Sequence, residues 1–216
     1  MMKQFLLAAA MFAFATPASA QIAEIRLGAN FHDIDWTGAG SGSDKERSSA
    51  INGEIVFEEP EFLKWALTPQ PYIGGAVNLG RETSYGGAGL LWRQTFAENF
   101  YIDLSLGLVV HDGTIEVDAS PLVQSVIDDA SVETGFTDVQ RAQFASELAE
   151  FRNRQQTEID YGSRILFREQ IAIGYRWSEQ WSTHVFVEHL SHGNILVSGR
   201  PNEGLDTLGM RASYHF

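Results

Sequence analysis

The residues with the clearest chemical use lie toward the C-terminus, in His189-Leu190-Ser191 and, beyond a polar stretch, in Asp206. Two residues apart on a strand, an imidazole and a hydroxyl project from one face with about 6.6 Å of rise between them. A base beside a hydroxyl is the minimum machinery of a nucleophilic ester hydrolase. A His-x-Ser triplet also arises as an ordinary polar pair at a membrane rim, so a third group has to separate the two readings. Asp206 shares the parity of Leu208, Met210, Ala212, Tyr214 and Phe216 in the last segment. A carboxylate there would hold one ring nitrogen of the imidazole and stabilise the imidazolium formed when the other takes the serine proton. Glu203 competes for this role, but it has the opposite parity and precedes Gly204 in a loop, so Asp206 is preferred. Asn194, Asn202 and the backbone N–H groups of Ser191-His192-Gly193-Asn194 are the candidate donors to an oxyanion.

Alternation with period two supplies the elements that must position these groups. Eight segments carry it, the third and fourth being Gly-rich stretches over 73–79 and 88–96. The first sets Ala23, Ile25, Leu27, Ala29 and Phe31 against Glu24, Arg26 and Asn30. The second opposes Ile51, Gly53, Ile55 and Phe57 to Asn52 and Glu54. The fifth sets Phe100, Ile102, Leu104, Leu106, Leu108 and Val110 against Tyr101, Asp103, Ser105 and His111. In the sixth, Ile165, Phe167, Ile171, Ile173, Tyr175 and Trp177 oppose Arg164, Arg168, Gln170 and Arg176. Arginines sharing one face would be expensive in a sandwich core, yet they suit the polar interior of a small barrel whose other face meets lipid. The apolar face is therefore expected to point outward, which puts His189, Ser191 and Asp206 on the lipid-facing wall. The even segment count, and aromatics near segment ends (Trp177, Trp181, Tyr214, Phe216), predict an all-β fold, an eight-stranded antiparallel outer-membrane β-barrel. A secreted lipocalin-like barrel with its apolar face inside is the alternative.

Residues 120–157 break the alternation. Thr137 and Gln140 have the spacing of a capping box, and Val139, Ala142, Phe144, Ala145, Leu148, Ala149 and Phe151 form a helical stripe. A helical extracellular insertion is expected there. Residues 1–20 read as a cleaved signal peptide, with Lys3, an apolar run from Phe5 to Ala15, and Ala18-Ser19-Ala20 before Gln21. The barrel domain then spans 21–216, with long connections at 32–49, 80–84, 111–160 and 192–205 on the outer side.

Composition removes other classes. Net charge is −13, with 15 Lys plus Arg against 28 Asp plus Glu, and opposes binding to a phosphate backbone, so no nucleic-acid partner is expected. With no cysteine, disulfide scaffolds, thiolate zinc sites and cysteine nucleophiles are excluded. His184 and His192 have interior parity, His32 and His111 lie near loops, and His215 falls at the periplasmic end. Few carboxylates neighbour them at ligand spacing, so neither a metal nor a cofactor is expected. A noncatalytic small barrel serving in adhesion or surface protection, and a phospholipase using the same residues, are the rival functions.

Glu188-His189-Leu190-Ser191-His192-Gly193-Asn194-Ile195, then Pro201-Asn202-Glu203-Gly204-Leu205-Asp206-Thr207-Leu208-Gly209 and the terminal Tyr214-His215-Phe216, resemble the C-terminal signature of the PagL-type lipid A 3-O-deacylases, or acyloxyacyl hydrolases. The resemblance is strongest over residues 160–216. It implies an exported outer-membrane enzyme whose site on the outside wall removes the 3-O-linked hydroxyacyl chain of lipid A in the outer leaflet. It also implies His189, Ser191 and Asp206 as the catalytic set and Asn202 as the oxyanion side chain, with a turn amide near Asn194. This chain departs from that pattern in His192, where Asn is common, and in an Asp rather than a Glu as the acid. Its linker between Ser191 and Asn202 is longer, and a minimal family barrel lacks the 120–157 insertion.

Overall fold

The computed structural model describes residues 21–34 and 45–216, so the expected signal peptide lies outside the described residues. Alternating polarity becomes strand wherever it was read. The strands are β1 (Ile22–His32), β2 (Ser49–Phe57), β3 (Gln70–Asn78), β4 (Tyr85–Thr95), β5 (Phe100–His111), β6 (Ile165–Arg176), β7 (Trp181–Ser191) and β8 (Leu205–His215). All pair antiparallel with their sequence neighbours, and β8 returns to β1 from Glu24↔His215 to His32↔Thr207. Closure leaves no strand edge unpaired, the condition for a sheet to stand in hydrocarbon.

Consecutive residues give the orientation of the faces. Leu27 and Leu104 are 64% and 51% exposed, while their neighbours Arg26 and Asp103 are 1% and 0% exposed. The apolar face is outside, and the lipocalin-like alternative fails on this point. Trp177, Trp181, Tyr214 and Phe216 are exposed and meet one after another in tilted or edge-to-face contacts at the end where β6 turns into β7, an aromatic girdle at that rim.

The lumen is filled by charge. Arg26 donates to Glu24 (2.9 Å), Asp103 (2.9 Å) and Glu54 (3.3 Å). Arg168 bridges Glu54 and Glu188, both at 2.5 Å, and Arg211 reaches Asn52 (2.5 Å) and Glu54 (3.2 Å). Such charges lose water at a cost that only dense mutual pairing offsets. Of the three arginines assigned by parity to the interior of β6, only Arg168 is buried. Arg164 and Arg176 are exposed. They sit at or beyond strand ends, where parity fixes a face but not a depth.

The insertion is helical but not one helix. α1 (Pro121–Asp128) starts on Ser120, whose hydroxyl accepts from Val123 N–H. A 3-10 turn (Ala130–Gly135) follows, and α2 (Asp138–Thr157) starts on the expected Thr137–Gln140 capping box. The expected apolar stripe packs in part: Phe144 meets Phe136 edge-on with ring centroids 5.8 Å apart, but no residue of α2 is buried, and Val139 is 77% exposed. The returning chain does dock. Ile159 and Tyr161 are fully buried with Tyr85, Leu166, Leu190 and Leu205, closing the lumen at the long-loop end.

Candidate active site on the outer wall

Strands β6, β7 and β8 set the site through their register. His189 faces Asp206 of β8 on one side and Glu169 of β6 on the other, and Ser191 faces Phe167. Because β7 alternates with period two, Glu188 and Leu190 point into the lumen and are buried, whereas His189 and Ser191 lie on the outward face and are partly exposed. The height is set by closeness to the long loops, since β7 ends at Ser191.

The imidazole of His189 meets Asp206 directly, Nδ1 to Oδ1 at 2.5 Å. Nδ1 is thereby committed, which leaves Nε2 as the nitrogen able to exchange a proton with a reacting group. The Asp206 side chain is 2% exposed and that of His189 37% exposed, so the acid is dry while its partner reaches the surface. The second carboxylate oxygen of Asp206 is buried and has no hydrogen-bond partner among the described residues. Among the described residues His189 is thus the side chain hydrogen-bonded to this carboxylate, in surroundings where such an interaction is strong. The Asp206 carbonyl accepts from the Ile34 N–H at 3.1 Å, which ties the root of the first long loop to this position. Among the described residues no hydrogen bond joins Ser191 Oγ to His189. Catalytic hydrogen bonds are often long before substrate is bound.

The loop from 192 to 204 is shaped around His192, which is fully buried. Its Nδ1 accepts from the Asn194 N–H at 3.1 Å, its Nε2 lies 2.9 Å from the Pro201 carbonyl, and its own N–H donates to Asn202 Oδ1 at 3.1 Å. The Asn194 amide is thus taken by the His192 ring, and Asn194 itself has φ +56° and an exposed side chain. Asn202 uses its oxygen on the loop, so its Nδ2 group is the end that remains as a donor. Glu203 is turned away from His189: both its oxygens meet Lys45 Nζ, at 2.6 and 2.7 Å.

Two contributors escaped the sequence reading. Gly204 has φ +72°, and a Cβ added to it would stand 3.0 Å from His189 Cε1. The residue therefore satisfies a left-handed backbone and a close ring contact at once. Glu169 is an exposed carboxylate on the outer face of β6, beside His189. Its signal was available, as the one charge interrupting the apolar row between Phe167 and Ile171. No group of three or more His, Asp or Glu side chains among the described residues is arranged to hold a metal ion.

The family model described as "Lipid A 3-O-deacylase (PagL)" matches residues 63–215. No curated protein matches the chain. Among solved structures, "Crystal structure of the outer membrane enzyme PagL" is similar with a TM-score of 0.54 at 12% identity, covering 90% of this chain and 100% of that one. The N-terminal β-barrel domain of Pseudomonas aeruginosa OprF has a TM-score of 0.45 at 7% identity, covering 92% of this chain and 100% of that one.

Proposed function

The chain belongs to the lipid A 3-O-deacylase (PagL) family, an outer-membrane carboxylic ester hydrolase by that membership, and we propose that it works by a serine mechanism on the outer wall of the barrel. His189 is the general base and then the general acid, Ser191 the nucleophile, and Asp206 the group that orients the imidazole. The observation that carries this reading is the His189–Asp206 hydrogen bond on the outward face, two residues from a serine. Asn202 Nδ2 is the oxyanion donor. The Asn194 N–H, taken by His192, is a weaker second candidate.

Ser191 Oγ attacks the carbonyl carbon of the 3-O-linked acyl ester while His189 Nε2 takes its proton. The negative charge that forms on the carbonyl oxygen is met by Asn202. The intermediate collapses by breaking the bond to the sugar oxygen, which receives the proton from His189. Water, deprotonated by the same imidazole, then attacks the acyl-serine ester; the bond to Ser191 Oγ breaks, the imidazolium returns its proton to Oγ, and a 3-hydroxy fatty acid is released. The outward position suits a membrane substrate. Lipid A carries its acyl esters at the boundary between headgroup and hydrocarbon, which an outward site near the long-loop end of β7 can reach, whereas a soluble esterase would place these groups in a concave pocket.

Mass spectrometry of lipid A from cells producing the protein, or its Ser191→Ala variant, tests the proposal. Loss of one 3-hydroxyacyl mass is expected with the parent and not with the variant. Equal loss with both overturns the serine mechanism, and hydrolysis confined to phospholipid micelles in a competition with lipopolysaccharide overturns the substrate.

A further inference from the structure

The segment carrying Asn202 and Gly204 is gripped from two other loops. The Lys45 ammonium meets both oxygens of Glu203, with side chains 15% and 35% exposed. The Asp160 N–H donates to Glu203 Oε2 at 2.8 Å, and the Glu203 N–H donates back to the Asp160 carbonyl at 3.1 Å. Lys45 is itself placed, because its amide and that of Glu46 both donate to Asp33 Oδ2, at 2.5 and 3.0 Å. Asp160 is placed by its side chain, which accepts from the Val117 N–H at 2.6 Å. Next to it Gly162 approaches so closely that an added Cβ would stand 2.0 Å from the Pro201 carbonyl oxygen.

We infer that Lys45, Glu203 and Asp160 form a clamp through which Lys45, ahead of β2, and the root of the helical insertion hold the segment 202–204 in place, with Gly204 against the catalytic imidazole. These are positioning residues, and their role rests on the serine reading above. An isolated surface ion pair holds little. Here one carboxylate joins an ammonium and a backbone amide from segments distant in sequence, and its chain neighbours are the oxyanion side chain on one side and the glycine under His189 on the other. A displacement of about 1 Å in such groups can cost about 100-fold in rate. The insertion thereby gains a use that its exposed helices do not suggest: the buried stem at Ile159 and Tyr161, not the helices, carries the load.

The test uses the full-length barrel in detergent, a neutral p-nitrophenyl ester as substrate, and hydrogen exchange read by mass spectrometry. Glu203→Gln keeps an acceptor for the Asp160 amide and removes the charge. It should lower kcat about tenfold with KM within about twofold, and it should speed exchange across 192–206 while the strands exchange as in the parent. Lys45→Met should match it, the double variant should be no worse than either single one, and Lys45→Arg should restore the parental kcat. Unchanged exchange in Glu203→Gln overturns the clamp, and faster exchange with unchanged kcat overturns its positioning role. If Ser191→Ala hydrolyses the ester at the parental rate, the serine reading fails, and the exchange result still decides whether the clamp exists.

Discussion

Glu188 and His189 are consecutive in β7 and live in opposite solvents. Glu188 points into the lumen, where Arg168, Gln170 and the Tyr85 hydroxyl all meet its carboxylate. His189 points outward and has one charged hydrogen-bond partner, Asp206, whose other oxygen has no partner among the described residues. Inside, Glu54 and Glu188 each meet more than one partner, which suits a network that fills a barrel and fixes its register. Outside, among the described residues, the buried Asp206 carboxylate is met by one imidazole, that of the partly exposed His189. Dense compensation makes a charge structural, and sparse compensation leaves it available to respond when a proton moves.

Substitutions on the two faces should therefore fail in different ways. The largest effect is expected outside. Asp206→Asn keeps the shape of the side chain but loses control of the imidazole, and should lower ester hydrolysis by about 10,000-fold while the barrel keeps its heat-resistant migration in gels. A fall of less than tenfold would break the comparison. Inside, Glu54→Ala takes from the buried Arg211 its carboxylate partner, while Arg168 keeps Glu188 and Arg26 keeps Glu24 and Asp103. Breaking a buried pair this way costs about 3–5 kcal/mol, read as a lower thermal midpoint, with kcat of the folded fraction unchanged. Gly204→Ala meets both a positive φ and the His189 ring, so it should cost about 1 kcal/mol of stability and reduce kcat about tenfold. Val139→Ser on the exposed face of α2 should change stability by less than about 0.5 kcal/mol and leave hydrolysis as it was, measured by the same melting and ester assays.

Much of the fold was legible because the side-chain period of a strand is two, so each residue of a lipid-facing wall declares its face. The same rule chose Asp206 over Glu203; in the fold Asp206 is hydrogen-bonded to His189, whereas Glu203 meets Lys45 and Asp160. Parity is blind to depth, which is why Arg164 and Arg176 were grouped with Arg168 although only the last is buried. β8 begins at Leu205, which places Asp206 inside the ladder and in register with His189. The partnership of Glu203 with Lys45 and Asp160 left no local pattern, since it joins segments that only barrel closure brings together. The insertion was legible as helical from its capping box, but its periodicity did not tell which stripe residues pack: Phe144 meets Phe136, whereas Val139 is exposed.

The most direct test of the outward trio is covalent. A long-chain alkyl fluorophosphonate delivered in detergent micelles should react with the intact barrel, and peptide mass spectrometry should place the adduct on Ser191 in the parent and find none in His189→Ala. A barrel that releases 3-hydroxy fatty acid from lipopolysaccharide while Ser191 stays unmodified, or an adduct undiminished in His189→Ala, would contradict the account.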